Sequence, residues 1–154
     1  MAINVLFLCN DNSTRSVMAE ALLKRFGDRR FRAFSAGIMP NTKIHPLAQE
    51  MLNASGLNVP QGNPKSASEF LLPSAPKMDL VIAMAEDAES TLREWPGPVF
   101  KAYWRITNPL AEESNRTEQW RNFRRAFREL ETRMRLLVLV RHKPRPDRDL
   151  TGTV

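Results

Sequence analysis

Apolar residues in the first part of the chain fall into short runs separated by a stretch of helical periodicity. Residues 3–8 form an apolar run rich in branched side chains, which predicts a buried strand. Apolar side chains then recur at helical spacing over residues 16–26, and Gly27 ends the predicted helix. Phe31–Gly37 alternates apolar with small or polar residues. This alternation predicts a second strand that ends in glycine.

The same alternation of apolar runs and helical segments continues along the chain. The next predicted elements are a helix over residues 45–56, a loop-rich segment over 60–77, a strand over 79–84, a helix-prone acidic segment over 85–95 and a strand over 99–104. Pro46 in the first turn and Gly56 at the end support the first of these helices. Proline, serine and asparagine dominate the segment predicted as loop.

A long helix follows the last predicted strand. Its inner face carries six apolar side chains at helical spacing: Trp120, Phe123, Phe127, Leu130, Met134 and Leu137. From His142 onward the sequence is polar and interrupted by proline, which predicts a flexible tail over residues 141–154. Because strands alternate with helices, we predict a single α/β domain over residues 1–140, an open, mostly four-stranded parallel sheet flanked by helices.

Composition narrows the class of protein. The chain has 154 residues, of which 42% are hydrophobic, enough for one compact domain with its own core. Its single cysteine excludes a disulfide within the chain. No basic-then-apolar segment opens the sequence, and no apolar run approaches the roughly 20 residues that span a bilayer. We therefore expect a cytoplasmic protein that does not enter the membrane.

The net charge of +6 raises the question of nucleic-acid binding. The arginines crowd into the last third of the chain, where glutamates are interspersed among them. This mixture is typical of a solvated helix face with local ion pairs, and no aromatic and glycine-rich nucleic-acid motif accompanies it. We do not expect nucleic acid to be a partner. The sequence gives no indication of the oligomeric state.

Candidate chemistry gathers at the end of the first predicted strand. Cys9 follows this strand, and residues 10–14 form a polar loop that leads into a helix. The free N–H groups of a helix N-terminus favour an anion, and a curled loop adds further N–H groups around it. Arg15 can grip two oxyanion oxygens at once. The same positive field is expected to lower the pKa of Cys9, and Ser16 can donate a hydrogen bond to the thiolate.

These residues resemble the phosphate loop of a known family. Residues 9–16 read CNDNSTRS, the C-x5-R-S form found in low-molecular-weight protein tyrosine phosphatases and in the arsenate reductases that share their fold. The segments NSTRSVMAEALL, SAG, HP, MDLVIAMAEDAE, YWRITNPL and FRELETRMRLL resemble the family in the same order. The resemblance runs from about residue 4 to residue 137 and is most similar to the arsenate-reductase branch.

The resemblance assigns roles to the loop and to one later residue. It implies that Cys9 is the nucleophile and that Arg15, Ser16 and Asn108 complete the catalytic set. It also implies an oxyanion-binding set made of Asn10, Asp11, Asn12, Ser13, Thr14 and Arg15. No metal ligand is implied in this set.

Three departures from the family pattern bear on the activity. Asn108 precedes Pro109 where the family has an aspartate that acts as general acid, and an amide cannot protonate a leaving group. The positions of the family's resolving cysteines hold Ala85 and either Leu92 or Arg93, so any reduction requires an external thiol such as glutathione, mycothiol or a redoxin. Asp11 replaces a glycine or neutral residue, and its charge would weaken oxyanion binding unless it points into solvent.

Other polar residues have structural interpretations. Asn12 is expected to support the loop, because asparagine tolerates left-handed backbone. Asn12, Glu20 and Ser35 match positions that bind potassium in some arsenate-reductase relatives, but Glu20 is interpreted as a helix-surface residue. His45 is expected to start or pack a helix. His142 lies in the predicted tail. Tyr103 and Trp104 are expected either to flank the substrate mouth or to lie in the core.

Three classes of function remain open. The first is an arsenate-reductase-like enzyme in which Cys9 attacks arsenate and an external thiol completes the reduction. The second is a protein tyrosine phosphatase that acts on phosphotyrosine through a phosphocysteine. The third is a catalytically impaired phosphate-binding module that keeps the loop and has lost the acid. The overall resemblance favours the first class, in which the partners are a small oxyanion and a redoxin and no bound cofactor is expected.

Overall fold

The computed structural model describes residues 1–111 and 115–140. Its strands are β1 (Ile3–Cys9), β2 (Phe31–Gly37), β3 (Leu80–Ala83) and β4 (Phe100–Tyr103), which form one parallel sheet in the order β2–β1–β3–β4. Every neighbouring pair is parallel. The predicted α/β class and four-stranded parallel sheet are therefore confirmed.

Helices cover both faces of this sheet. The helices are α1 (Arg15–Phe26), α2 (Pro46–Ala54), α3 (Glu89–Arg93) and α4 (Arg116–Leu137). Helices α1, α2 and α4 pack with Val5 and Phe7 of β1 into the larger hydrophobic cluster. The opposite face of β1, with Leu6 and Leu8, packs with α3 into a smaller cluster. Alternate residues of β1 thus point to opposite faces, and both faces are buried, as is usual for a parallel sheet.

The observed elements differ from the predicted ones mainly at their ends. Strands β3 and β4 are each one residue shorter at both ends than predicted. The segment predicted as one helix over residues 85–95 divides into a 3₁₀ turn, Glu86–Ala88, and the short helix α3. A second 3₁₀ turn, Ala67–Leu71, interrupts the predicted loop, because Ser66 and Glu69 form a reciprocal capping box at its start.

Helix α4 has the predicted inner face. Phe123, Phe127, Leu130 and Met134 are buried, and Trp120 and Leu137 are half-buried against the same cluster. Asn115 begins the helix by accepting a hydrogen bond from the backbone N–H of Glu118. The predicted tail over residues 141–154, with His142, lies outside the described residues. No helix in the described part of the chain is long and apolar enough to cross a membrane.

The topology places one strand end at the centre of the carboxyl edge of the sheet. From β1 the chain crosses to β2 on one side, while β3 pairs with β1 on the other side. Cys9 is the last residue of β1 and lies beside Gly37, the last residue of β2. Ligand sites of open α/β sheets lie at such a reversal of strand order. The fold therefore brings the predicted loop to the expected position of a site.

Candidate active site

The loop between β1 and α1 is held by its carbonyl oxygens. Four of them accept hydrogen bonds from the backbone of the segment that follows β2. These bonds join Ile38 N to Cys9 O (3.2 Å), Met39 N to Asn10 O (2.8 Å), Asn41 N to Asp11 O (2.9 Å) and His45 N to Ser13 O (3.0 Å). With the carbonyl groups engaged on the outer side, the loop can turn its N–H groups inward around an anion.

The N-terminus of α1 adds further donors to this cradle, by which we mean residues 10–15. Thr14 occupies the N-cap position, and its side chain makes no capping hydrogen bond to α1. The Thr14 side chain therefore occupies none of the N–H groups of the first turn, which carry the positive end of the helix dipole. Asn12 has a φ of 51°, as expected for a loop asparagine in left-handed backbone. The predicted cradle is thus present as a curled loop above the helix.

Gly37 makes room for the cradle, although the sequence analysis assigned it no role in the site. A Cβ atom at this position would lie 2.8 Å from both the Asn10 carbonyl oxygen and the Asn12 nitrogen. The loop therefore packs directly on the backbone at the end of β2. The SAG segment shows that a glycine stands at this position. That the glycine contacts the loop follows only from the pairing of β1 with β2.

Cys9 lies beneath the loop and is completely buried. Its Sγ is 2.8 Å from Ser16 Oγ and 3.7 Å from Asp11 Oδ1. Ser16 Oγ accepts a hydrogen bond of 2.9 Å from the side-chain amide of Asn12. Because the Cys9 thiol donates towards Asp11 Oδ1, the Ser16 hydroxyl can donate its proton to the sulfur. The structure therefore brings the Ser16 hydroxyl next to the Cys9 sulfur.

Burial raises the pKa of the Cys9 thiol, and this effect outweighs the others. The Ser16 hydroxyl lowers the pKa, the nearby Asp11 carboxylate raises it, and the backbone N–H groups of Ser16 and Asn12 lower it. The expectation of a lowered pKa is therefore wrong for the unliganded protein. The sequence pattern indicated the donors around the sulfur but not the depth at which the sulfur lies.

Arg15, the last residue of the cradle, is buried and held through one nitrogen of its guanidinium. Its Nη1 donates to the backbone carbonyls of Met84, at 2.8 Å, and Ile106, at 3.3 Å. Its Nε is buried and has no hydrogen-bond partner. A buried donor without a protein partner is available to a group that accepts its hydrogen bond. These two carbonyls fix the guanidinium from the segments that follow β3 and β4.

Arg15 opens into a cavity of about 660 Å³ at the carboxyl edge of the sheet. Its lining residues are Arg15, Met84, Ala85, Glu86, Asp87, Glu89, Tyr103, Arg105, Ile106 and Asn108. The structure thus brings Asn108 to the same cavity as Arg15. The Asn108 side chain is exposed, and its Oδ1 accepts a 3.0 Å hydrogen bond from Leu110 N.

The aromatic pair at the end of β4 separates into two roles. Tyr103 lines the cavity, whereas Trp104 packs on Phe7 with ring centroids 6.0 Å apart. The loop that follows is tied to α4, because Thr107 N and Thr107 Oγ1 each donate a 2.7 Å hydrogen bond to the Glu129 carboxylate. Glu129 thus holds the loop that carries Asn108. This role can be recognised only from the packing of α4 against the loop.

Glu20 is not a surface residue, so its interpretation as a helix-surface glutamate is wrong. It is 6% exposed, and its carboxylate accepts hydrogen bonds from Ser35 Oγ at 2.9 Å and Lys24 Nζ at 2.8 Å. Ser35 in turn accepts one from the side chain of Asn12. These three polar residues are therefore brought together, and the Lys24 ammonium balances the carboxylate. Among the described residues, no three His, Cys, Asp or Glu side chains form a metal-binding group.

The remaining singled-out residues are structural. His45 caps α2, because its Nδ1 accepts a 3.1 Å hydrogen bond from Leu47 N, and its ring lies 5.1 Å from that of Phe123. Both expected roles of His45 are confirmed. Ala85 and Leu92 are buried and Arg93 is exposed, and none of these positions supplies a thiol.

Comparison with known proteins identifies relatives of this chain. An arsenate reductase of Bacillus licheniformis is 28% identical over 131 residues, which make up 85% of this chain and 91% of that protein. The crystal structure of arsenate reductase from Archaeoglobus fulgidus is 29% identical, with a TM-score of 0.71, and the match covers 88% of this chain and 99% of that one.

A thioredoxin-dependent arsenate reductase of Corynebacterium glutamicum is also 29% identical, with a TM-score of 0.62. That match covers 88% of this chain and 63% of the longer protein. These similarities confirm the prediction of an arsenate-reductase-like enzyme with the phosphatase fold. The family model for low molecular weight phosphotyrosine protein phosphatases matches residues 4–145, and with this match spanning the sheet, the loop and the terminal helix, the chain belongs to that family.

Proposed function

We propose that the protein reduces arsenate, with Cys9 as nucleophile and an external thiol as reductant. The observation that carries this proposal is a buried thiol beneath a loop of backbone donors, beside an arginine whose Nε has no partner. A nucleophile, a set of donors and a charged clamp coincide at one strand end. This combination suits a small oxyanion that is attacked at its central atom.

Each residue of the cradle has a role in this proposal. Arg15 binds two substrate oxygens through its free Nε and its second terminal nitrogen, while Met84 and Ile106 hold the guanidinium in place. The N–H groups of the loop and of the first turn of α1 bind the other oxygens, except that of Ser13, which donates to Asp11 Oδ1. The Ser16 hydroxyl stabilises the Cys9 thiolate through a hydrogen bond to its sulfur.

The reaction balances with two equivalents of external thiol. The Cys9 thiolate attacks arsenic(V), an S–As bond forms, and one arsenate oxygen leaves as water after protonation. An external thiolate then attacks the Cys9 sulfur; the S–As bond breaks, its electron pair passes to arsenic, and arsenite leaves. A second external thiol reduces the resulting mixed disulfide and frees Cys9. The external thiol is oxidised to its disulfide.

The single cysteine explains why the reductant is external. No second thiol exists in the sequence to form an internal disulfide with Cys9. Glutathione, mycothiol or a redoxin therefore supplies the electrons, and the relative from Corynebacterium glutamicum is named as thioredoxin-dependent. Such thiols are maintained in the reducing cytoplasm, which we propose as the location of the enzyme.

A phosphatase activity is the second candidate, because the same cradle fits a phosphoryl group. The family's acid is replaced by Asn108, but Glu86, Asp87 and Glu89 line the same cavity. Any of these carboxyl groups could protonate a leaving oxygen if it reaches that oxygen. We prefer arsenate reduction to phosphatase activity, because it depends less on an acid at position 108. Its leaving group is water, and the external thiol carries out its later steps.

Two assays on the same preparations test the proposal. One measures arsenite formation with glutathione, mycothiol or thioredoxin and their reductases, and the other measures hydrolysis of an aryl phosphate. We expect arsenite formation that is abolished in Cys9→Ser and falls on the order of 10²-fold in Arg15→Lys, which keeps the charge but loses the planar fork. Aryl-phosphate hydrolysis without arsenite formation under any reductant would replace the proposal with the phosphatase.

A further inference from the structure

The carboxylate of Asp11 is half-buried, and its Oδ1 turns towards the loop and the Cys9 sulfur. Its Oδ1 is 3.7 Å from Cys9 Sγ and accepts a 3.0 Å hydrogen bond from Ser13 N. The Ser13 amide belongs to the loop that is shaped to surround an anion. A carboxylate oxygen of the protein itself therefore occupies a loop donor beside Cys9, where the proposed function requires the oxygens of a bound oxyanion.

The direction of the hydrogen bonds around the sulfur defines what Asp11 can accept. The Cys9 thiol donates towards Asp11 Oδ1, and the Ser16 hydroxyl lies 2.8 Å from the same sulfur. When Cys9 loses its proton, Asp11 loses that donor and faces a thiolate. A bound oxyanion then presents one of its oxygens to the Asp11 carboxylate. This contact is favourable when the oxygen carries a hydrogen and repulsive when it carries only charge.

Oxyanions differ in whether they can supply this hydrogen. Inorganic phosphate and arsenate keep at least one hydroxyl group at neutral and weakly basic pH. A phosphate monoester has a second pKa of about 6, so its phosphoryl oxygens are fully ionised under the same conditions. Both kinds of anion can therefore carry two negative charges, but only the inorganic one can donate a hydrogen bond to a carboxylate.

We propose that Asp11 is a specificity-determining residue of the cradle, which favours inorganic oxyanions that bear a hydroxyl over fully ionised phosphate esters. Its carboxylate accepts the hydrogen bond of that hydroxyl in place of the one from the Cys9 thiol. The inference rests on the proposed function, because it requires the cradle to bind an oxyanion above Cys9. The inference adds to the proposed function that the preferred substrate is an oxyanion with a protonated oxygen.

The experiment compares inorganic phosphate with phenyl phosphate at about pH 8, where both are mainly dianions. The affinity of each is measured as protection of Cys9 against alkylation, from initial rates, in the wild type, Asp11→Asn and Asp11→Gly. Asp28→Asn is the matched control: an exposed carboxylate beyond the far end of α1, at a positive φ that asparagine tolerates.

We expect the wild type to bind inorganic phosphate roughly tenfold or more tightly than the ester, the worth of one hydrogen bond to a charged group. Both Asp11 variants should reduce this preference to near unity, mainly by gaining affinity for the ester. Asp28→Asn should keep the wild-type preference. Arsenate in place of phosphate should give the same pattern. Asp11→Gly supplies the result if the asparagine variant does not fold.

The outcomes separate this inference from the proposed function. If both anions protect Cys9 but the preference is unchanged in the Asp11 variants, the cradle stands and the role of Asp11 is overturned. An equal gain in affinity for both anions in the Asp11 variants also overturns the role of Asp11, because its carboxylate would then repel every bound anion alike. If neither anion protects Cys9 in the wild type, the oxyanion cradle and the inference fail together.

Discussion

The sulfur of Cys9 combines deep burial with several hydrogen-bond partners, and these act on its pKa in opposite directions. Burial raises the pKa of the thiol, whereas the Ser16 hydroxyl lowers it. A group with a raised pKa holds its proton to higher pH, so less thiolate is present at neutral pH. Since the thiolate is the reactive form, the reactivity of the unliganded protein should increase as the solution becomes basic.

We therefore expect the alkylation rate of Cys9 to be low at neutral pH and to rise continuously into the basic range. Ser16→Ala removes the hydroxyl that lowers the pKa of Cys9, so its profile should move to still higher pH. The exposed Ser55, at the end of α2, provides Ser55→Ala as a control with an unchanged profile. A wild-type rate that already levels off below neutral pH would contradict the prediction.

We expect phosphatase activity to depend most directly on Asn108. Its amide cannot donate a proton to a leaving group, and positioned acids typically contribute roughly 10²–10⁴-fold. Because Asn108 lines the cavity with Arg15, Asn108→Asp should increase aryl-phosphate hydrolysis, most strongly for poor leaving groups. Arsenite formation should change much less.

The control for this substitution is Asn53→Asp, which introduces the same charge on the exposed side of α2. Both activities are measured for both variants across pH. If Asn108→Asp leaves hydrolysis unchanged while Cys9 stays reactive, the placement of Asn108 as the acid position is wrong: either its loop does not overhang the site or another group supplies the proton. Glu86, Asp87 and Glu89 would then be the groups to replace.

At the scale of elements, the cradle depends on the contact between its loop and the end of β2. An added Cβ at Gly37 would lie 2.8 Å from Asn10 O and Asn12 N, a separation that forces the loop to move. We expect Gly37→Ala to weaken protection of Cys9 by phosphate by at least tenfold, because the loop amides no longer converge. The loss should appear in folded protein, as judged by circular dichroism.

Gly56→Ala provides the comparison for this prediction. Gly56 ends α2 with a φ of +71°, and nothing lies within 4 Å of its added Cβ. This substitution should lower stability by about 1 kcal/mol through backbone strain and leave phosphate protection unchanged. Equal loss of protection in both variants would mean that the effect of Gly37→Ala is only destabilisation.

On the scale of the whole molecule, one core connects the helices that support the loop. Phe123 of α4 is fully buried among side chains of α1, α2 and β1. Phe123→Ala should reduce the free energy of unfolding by about 3–5 kcal/mol, measured in denaturant. The exposed neighbour Arg124→Ala should change it by less than about 0.5 kcal/mol. A small effect of Phe123→Ala would show that α4 is not part of the cooperative core.

The outer face of α4 contains the ion pairs that the charge pattern predicts. Arg125 and Glu129 approach to 3.7 Å, as do Arg135 and Glu131, and Arg116 reaches Glu50 of α2 at 2.8 Å. These pairs are exposed, so each contributes little to stability. The burial of apolar side chains, and not the charge pattern, therefore holds α4 to the domain.

The sequence by itself determined the order of elements and the core of the site. Apolar periodicity placed every strand and helix to within a few residues, because it records which face each element buries. Cys9, Arg15 and Ser16 could be identified because they lie on one loop and one helix turn, so their spacing along the chain fixes their spacing in space. The same locality made the anion cradle predictable.

Only the tertiary structure decided how these groups are tuned. The partners of Arg15 come from the ends of β3 and β4, and Gly37 meets the loop through the pairing of β1 with β2. Glu20 is buried because β2 carries Ser35 to it. The pKa of Cys9 depends on the depth of burial. Each of these properties arises from contacts between residues distant in sequence, and such contacts leave no local spacing to detect.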